Sequence, residues 1–332
     1  MNFYASREFL DAAASVYFKG RRTAIENVRI GDDVLRLLVV DGSRIVTRLQ
    51  FLDVHQPLAP SEIEGPLRPG RYARNVVRGV IAKDQWQPDA FPQMELAPYI
   101  DWTAFPGFDG YRERLLQRHR GLVRDRERRW RSLAAAQGEL VFTADDAADD
   151  VLATARGWKS RQLCDTGHPN YFARPETAEF LHLLRERKLL RASTLRAGGR
   201  LISVWIGFVY QGCWSGWIFA YDPALKKYSP GHRLLWNMLE ESCRCGHREF
   251  DFSEGGEDYK MMYATHGRLL GEIGRPPLAR SATVLAKSVL AKTSPALLCT
   301  VQRLKKQAVA QARPAARRST GTALTTAPRT GS

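Results

Sequence analysis

A chain of 332 residues with 44% hydrophobic and 26% charged residues has the balance of a folded protein, long enough for two domains or one large one. Those fractions exclude a mainly disordered chain. The formal charge of +15 is concentrated: residues 111–133 hold nine arginines against three acids, and residues 281–332 hold nine basic residues and no acid. The remainder is neutral, so basicity belongs to one helix and one tail and does not mark a whole nucleic-acid-binding surface.

Arg7, Glu8 and Asp11 fall where a secretory signal would carry its apolar core. The longest apolar run, residues 201–210, is about half the length of a membrane span. The expected location is therefore the cytoplasm. Cys164, Cys213, Cys243, Cys245 and Cys299 read as reduced, partly buried thiols, and Cys243-x-Cys245 on a helix points its two sulfurs apart. The histidines never fall at metal-ligand spacing, so no metal is expected.

Residues 29–54 read as a run of strands, with 34–40 and 44–52 joined by a hairpin turn at Asp41-Gly42-Ser43. Residues 57–69 form a proline-rich loop. Residues 76–82 suit either a strand or a short helix, and 88–106, with four prolines and four aromatics, an ordered connection. A helix is expected over 111–133, a short strand over 139–142, and helices over 145–158 and 175–190. Next comes a meander of strands 189–196, 201–210 and 213–221. Residues 230–245 are a helix whose buried face is Leu234, Leu235, Met238, Leu239 and Ser242, with Gly246 as its C-cap. Strand 249–253 follows, carrying Phe250 and Phe252. That order fits a mixed α+β layer fold. After residue 274 alanine, serine, threonine and lysine take over; Leu297, Val301, Leu304 and Ala308 keep helical spacing, and disorder is expected from 310.

Two segments carry chemistry. In Tyr228-Ser229-Pro230-Gly231-His232-Arg233, Pro230 suits a first helical position, Gly231 opens the backbone to an approaching phosphate, and Arg233 adds a charge. An ordinary helix start capped by Ser229 is the plainer alternative. In Phe250-Asp251-Phe252-Ser253-Glu254-Gly255-Gly256-Glu257-Asp258-Tyr259-Lys260, a strand opens through a glycine turn onto acids, a phenol and an ammonium group. Amide formation from a thioester needs an amine deprotonated, an oxyanion stabilised and a thiolate protonated. Glu257 or Glu254 suits the first task, Lys260 the second and Tyr259 the third; a solvated turn is the alternative. An anion cradle followed by such a cluster suggests a transferase with a phosphorylated donor. The arginine-rich helix reads either as a phosphate-binding surface or as a solvated face.

Taken with Tyr99-Ile100-Asp101, the arginine helix and Tyr221-Asp222-Pro223, these segments resemble the FemAB-like branch of the GNAT superfamily, including CelD-type cellulose-biosynthesis proteins. The likeness covers roughly residues 99–264. It implies tandem GNAT-like halves, placed here at 1–109 and 110–275, with a basic tail at 276–332. It further implies acyl transfer from acetyl-CoA or another acyl-CoA to an amine or hydroxyl of a polysaccharide or cell-envelope precursor. Tyr228, Ser229, Gly231, His232 and Arg233 would hold the donor. The usual donor loop has Gln or Arg, two residues, Gly, one residue, then Gly or Ala; here Tyr228 and Arg233 take the outer places and only Gly231 matches. Where the family often carries Trp three residues beyond the Tyr-Lys pair, this chain has Tyr263. Alternatives are aminoacyl-tRNA-dependent transfer, with the basic helix touching tRNA, and a non-catalytic scaffold of polysaccharide synthesis. The basic tail would let the protein lie on the anionic inner face of the membrane, or remain solvated.

Overall fold

The strand Arg200–Tyr210 reads Leu-Ile-Ser-Val-Trp-Ile-Gly-Phe, and every residue from Ile202 to Phe208 is buried. A strand covered on both faces needs such a near-continuous apolar run. The computed structural model describes residues 3–30, 33–42, 44–46, 48–49, 52–53, 72–88, 90–91, 94–256 and 258–274. The expected loop at 57–69 and the basic tail lie outside the described residues.

Helix α1 (Arg7–Tyr17) precedes a three-stranded antiparallel sheet of β1 (Thr23–Ile30), β2 (Asp33–Val40) and β3 (Arg44–Val46). The β2–β3 hairpin turns as expected at Asp41 and Gly42, both at positive φ. A small ladder pairs β4 (Arg48–Leu49) with β5 (Leu52–Asp53). Then come β6 (Tyr72–Ala82), β7 (Glu95–Asp101), α2 (Phe108–Gln137), β8 (Leu140–Thr143), α3 (Asp149–Asp165) and α4 (Pro175–Glu186). The chain continues through β9 (Arg191–Ala197), β10 (Arg200–Tyr210), β11 (Cys213–Tyr221), α5 (Pro230–Arg244), β12 (Glu249–Asp251), α6 (Asp258–Tyr263) and β13 (His266–Gly274).

Eight strands form the main sheet, in the order β6-β13-β7-β12-β11-β10-β9-β8. Every neighbouring pair is antiparallel except β11 and β12, giving a mixed α+β sheet flanked by helices. Residues 76–82, ambiguous by periodicity, are strand. The connection expected over 88–106 contains β7, which sits between β13 and β12, so this part of the reading is corrected. Leu96, Ala97, Tyr99 and Ile100 supply its buried faces, and proline at position 98 hides the pattern. Strands from both sides of residue 110 thus share one sheet.

Helices α2 and α5 cover one sheet face through Trp130, Leu133, Leu234, Leu235, Met238 and Leu239. On the other face Phe3 stacks on Phe208 with ring centroids 3.9 Å apart, and Phe9 meets Phe180 edge-on. These elements belong to one compact unit, the described part of Met1–Arg161 and Asn170–Leu278. In the second unit only 162–169 are described; they finish α3 in a turn closed by the His168 N–H on the Leu163 carbonyl at 2.9 Å.

Candidate functional site

Parallel pairing of β11 with β12 lasts three residues, Cys213↔Glu249, Trp214↔Phe250 and Ser215↔Asp251. Strand β12 stops there while β11 runs on to Tyr221, so the two part. A backbone turn holds the parting. Ser253 has φ 59°, its N–H donates to Asp251 Oδ1 at 2.9 Å, and its hydroxyl donates to the Gly216 carbonyl at 3.1 Å. Aromatic rings border the gap: Trp205 lies 5.0 Å from Phe219 and 6.5 Å from both Phe250 and Tyr259.

Helix α5 begins beside this gap. Ser229 is left-handed (φ 54°, ψ 51°) and its side chain caps nothing, contrary to the plainer reading of the segment. Its carbonyl instead receives the N–H groups of His232 and Arg233, at 3.1 and 3.4 Å. Pro230 has no N–H to offer. The first turn therefore closes largely on itself, and its pull on an anion rests on the helix dipole and neighbouring cations. Gly231 packs face to face with β11: a Cβ here would lie 1.7 Å from Phe219 Cζ. Tyr228 is partly buried against the core, with Lys227 Nζ 4.8 Å from its ring centre.

The cations come from α2. Arg126 Nη1 donates to Tyr263 Oη at 2.7 Å and also reaches His232 Nδ1, while its guanidinium lies 5.6 Å from the Tyr263 ring centre. Arg129 Nη1 donates to the Lys227 carbonyl at 3.2 Å, clamping the loop ahead of α5. Burial, helped by Arg126 and Arg129, drives the His232 pKa down to about 3. The imidazole is neutral at pH 7, and with Nδ1 accepting from Arg126 its proton belongs on Nε2. The His232 ring lies 6.1 Å from Tyr259 and 6.0 Å from Tyr263. Both candidate segments thus meet at His232.

Within the second segment the roles divide. Lys260 is only 6% exposed, and its Nζ donates to the Glu254 carbonyl at 2.5 Å, closing the glycine turn. Glu254 Oε2 accepts from Asn75 Nδ2 of β6 at 2.9 Å. Tyr259, half-buried, faces Trp205 and His232. Glu257 lies outside the described residues. Residues 258–263, expected as the far side of a turn, are helical, and buried donors hold the end of this helix. Lys83 Nζ donates to the Met261 carbonyl and Tyr111 Oη to the Tyr263 carbonyl, each at 2.8 Å. Arg233 turns to different company. Its guanidinium lies 5.3 Å from the Trp130 ring centre, burial lowers its pKa, and its Nε meets no acceptor among the described residues.

Arg126 and Tyr263 carry the contacts that join α2, α5 and α6, yet charge alone hides Arg126 among the other arginines. The signal is spacing: Val123, Trp130 and Leu133 are buried, and Arg126 falls on their face at i+3 and i−4.

No curated protein matches the chain. Residues 118–261 match the family model described as an acetyltransferase (GNAT) domain. Among solved structures, FemX shares the fold over 82% of this chain and 91% of its own, at 10% identity and a TM-score of 0.50. A tandem GNAT protein from the clavulanic acid biosynthesis pathway is 13% identical over 81% of this chain and 94% of that one, with a TM-score of 0.36. A conserved protein of unknown function from Bacteroides thetaiotaomicron VPI-5482 is 12% identical over 61% of this chain, with a TM-score of 0.37; the chain spans 63% of its length. The family match takes in Arg126, α5 and most of α6, and leaves β6, β7 and β13 outside it.

Proposed function

We propose that this protein, a GNAT-family acyltransferase, moves an acyl group, acetyl in the first place, from acyl-CoA to an amine or hydroxyl of a polysaccharide or cell-envelope precursor. The observation that carries the donor side is the start of α5, set beside the gap between β11 and β12 and faced by Arg126 and Arg129. A polyanionic donor would lay its phosphates there, against the helix dipole and two guanidiniums. Tyr228, Ser229, Gly231 and His232 line the same loop. In the transfer, the acceptor's lone pair attacks the thioester carbonyl, the carbon–sulfur bond breaks, the acceptor nitrogen or oxygen gives up its proton, and the departing thiolate takes one up. Tyr259 is the candidate proton donor, because its ring borders the gap and touches His232. Lys260 and Glu254 support the turn that carries it.

A second reading, aminoacyl-tRNA as donor, draws on exposed Arg120, Arg124 and Arg128 along α2, a basic row that would meet a nucleic-acid backbone. Calorimetric titration with acetyl-CoA and, separately, with charged tRNA decides between them. Saturable acetyl-CoA binding that weakens in Arg126→Met supports the first reading, and tRNA binding alone supports the second. A protein that binds neither is a scaffold.

A further inference from the structure

A concavity opens between α2 and α5, and His232 is not part of its lining. Its volume is about 490 Å³, within the usual range for a small-molecule site. The floor is aromatic: Trp130, Trp236 and Phe108, with the two indoles 6.0 Å apart and Phe108 edge-on to Trp236 at 5.4 Å. The walls carry three carboxylates, Asp109, Glu127 and Glu240, and three guanidiniums, Arg112, Arg131 and Arg233. Arg112 and Glu127 form an ion pair at 3.5 Å.

The lining charges balance, which argues against a phosphate or any other strong anion here and separates this cleft from the basic start of α5. The many charged walls argue equally against an acyl chain. What fits is a neutral ligand with apolar ring faces and hydroxyls around its edge. Carboxylates accept from hydroxyls, guanidiniums donate to them, and aromatic carbon packs against ring C–H groups. Two donors on the lining residues point the same way. Trp130, 5% exposed, has its Nε1 buried with no acceptor among the described residues, and so does Arg233 at Nε. Buried donors without partners are costly, and a small shift of the indole or the guanidinium toward the cleft would let an oxygen-rich ligand relieve them.

We infer that the cleft between α2 and α5 is a subsite for a neutral sugar ring. Its place as the acceptor subsite rests on the acyl-transfer reading; sugar binding itself does not. Arg233 then belongs to this cleft, one residue along the helix from His232 and in contact with different partners.

The test is a titration of the full-length protein with cellotetraose, maltotetraose and tetra-N-acetylchitotetraose, followed by indole fluorescence and by saturation-transfer NMR. At least one is expected to bind saturably below about 10 mM. Trp130→Phe keeps an aromatic ring and loses the N–H, and should weaken that binding about tenfold. Glu240→Gln, at an exposed position, should weaken it by a similar factor without touching the core. Failure of all three saccharides to bind, or binding to both variants as to wild type, overturns the subsite. Acetyl-CoA is titrated into the same samples. Saccharide binding without acetyl-CoA binding removes the donor reading and leaves the cleft standing, whereas acetyl-CoA binding without saccharide binding does the reverse.

Discussion

His232 stays neutral because burial, and after it the guanidiniums of Arg126 and Arg129, disfavour its charged form. This has a consequence for stability. The unfolded chain protonates its imidazole below about pH 6.5, whereas the folded chain does so only near 3, so acidification through that window favours unfolding. Above pH 6.5 both states are neutral and His232 contributes no pH dependence. Urea unfolding of wild type and His232→Gln at pH 7 and pH 5 checks this. Wild type should lose on the order of 2 kcal/mol more than the variant on acidification. Parallel losses would mean that the imidazole is not held neutral. Lys260 lends itself to a companion measurement. Lys260→Met keeps the packing but leaves the Glu254 carbonyl without its ammonium donor. Stability should fall by about 1–3 kcal/mol. A variant as stable as wild type whose turnover drops about a hundredfold would instead place Lys260 in the chemistry.

Where elements meet, the tightest constraint is α5 against β11. The first turn of α5 can approach the strand only because position 231 lacks a Cβ, and the Phe219 ring fills that space. Gly231→Ala should therefore cost about 1–3 kcal/mol through overpacking. Adding Phe219→Leu should return part of it, and a double-mutant cycle by thermal unfolding reads the coupling. An additive cycle would show that the two residues do not share the contact. The sequence marked this glycine as a donor-loop position; its packing role depends on a strand partner far away in the chain and becomes visible only in the fold. The meander of β9, β10 and β11 and the helix α5 were legible because each has its own periodicity and its turns carry glycine. Strand β7 was not, since Pro98 and nearby prolines imitate a loop, and β13, with three glycines at 267, 271 and 274, lacks a continuous apolar run. Of the candidate site, the start of α5 and Tyr259 could be singled out from the sequence. The contribution of Arg126 required knowing which face of α2 turns inward.

For the molecule as a whole, the sheet sets how the chain can be divided. Strand β7 lies between β13 and β12, and β6 pairs along nearly the whole of β13, from His266↔Ala82 to Gly274↔Tyr72. Tyr99 of β7 also covers Arg268 of β13, 4.0 Å from ring centre to guanidinium carbon, where Arg268 pairs with Glu249 and Asp251 of β12. Removing residues 1–109 would take the middle strand from three and leave β12 and β13 with unpaired edges. It would also strip Phe3, Tyr4 and Phe9 from the opposite sheet face and expose Phe208 and Phe180. The ladder bonds lost are individually worth about 1 kcal/mol, but edges and apolar surface exposed together promote association. A fragment of residues 110–278, although it contains the whole family match at 118–261, should therefore fail to fold by itself. Size-exclusion chromatography and thermal unfolding of the purified fragment test this. The expected outcome is aggregate, or a species without a cooperative transition. A soluble monomer that unfolds cooperatively and binds acetyl-CoA would show that the sheet closes without β6 and β7, and that the N-terminal strands serve something other than the stability of the part that carries the family match.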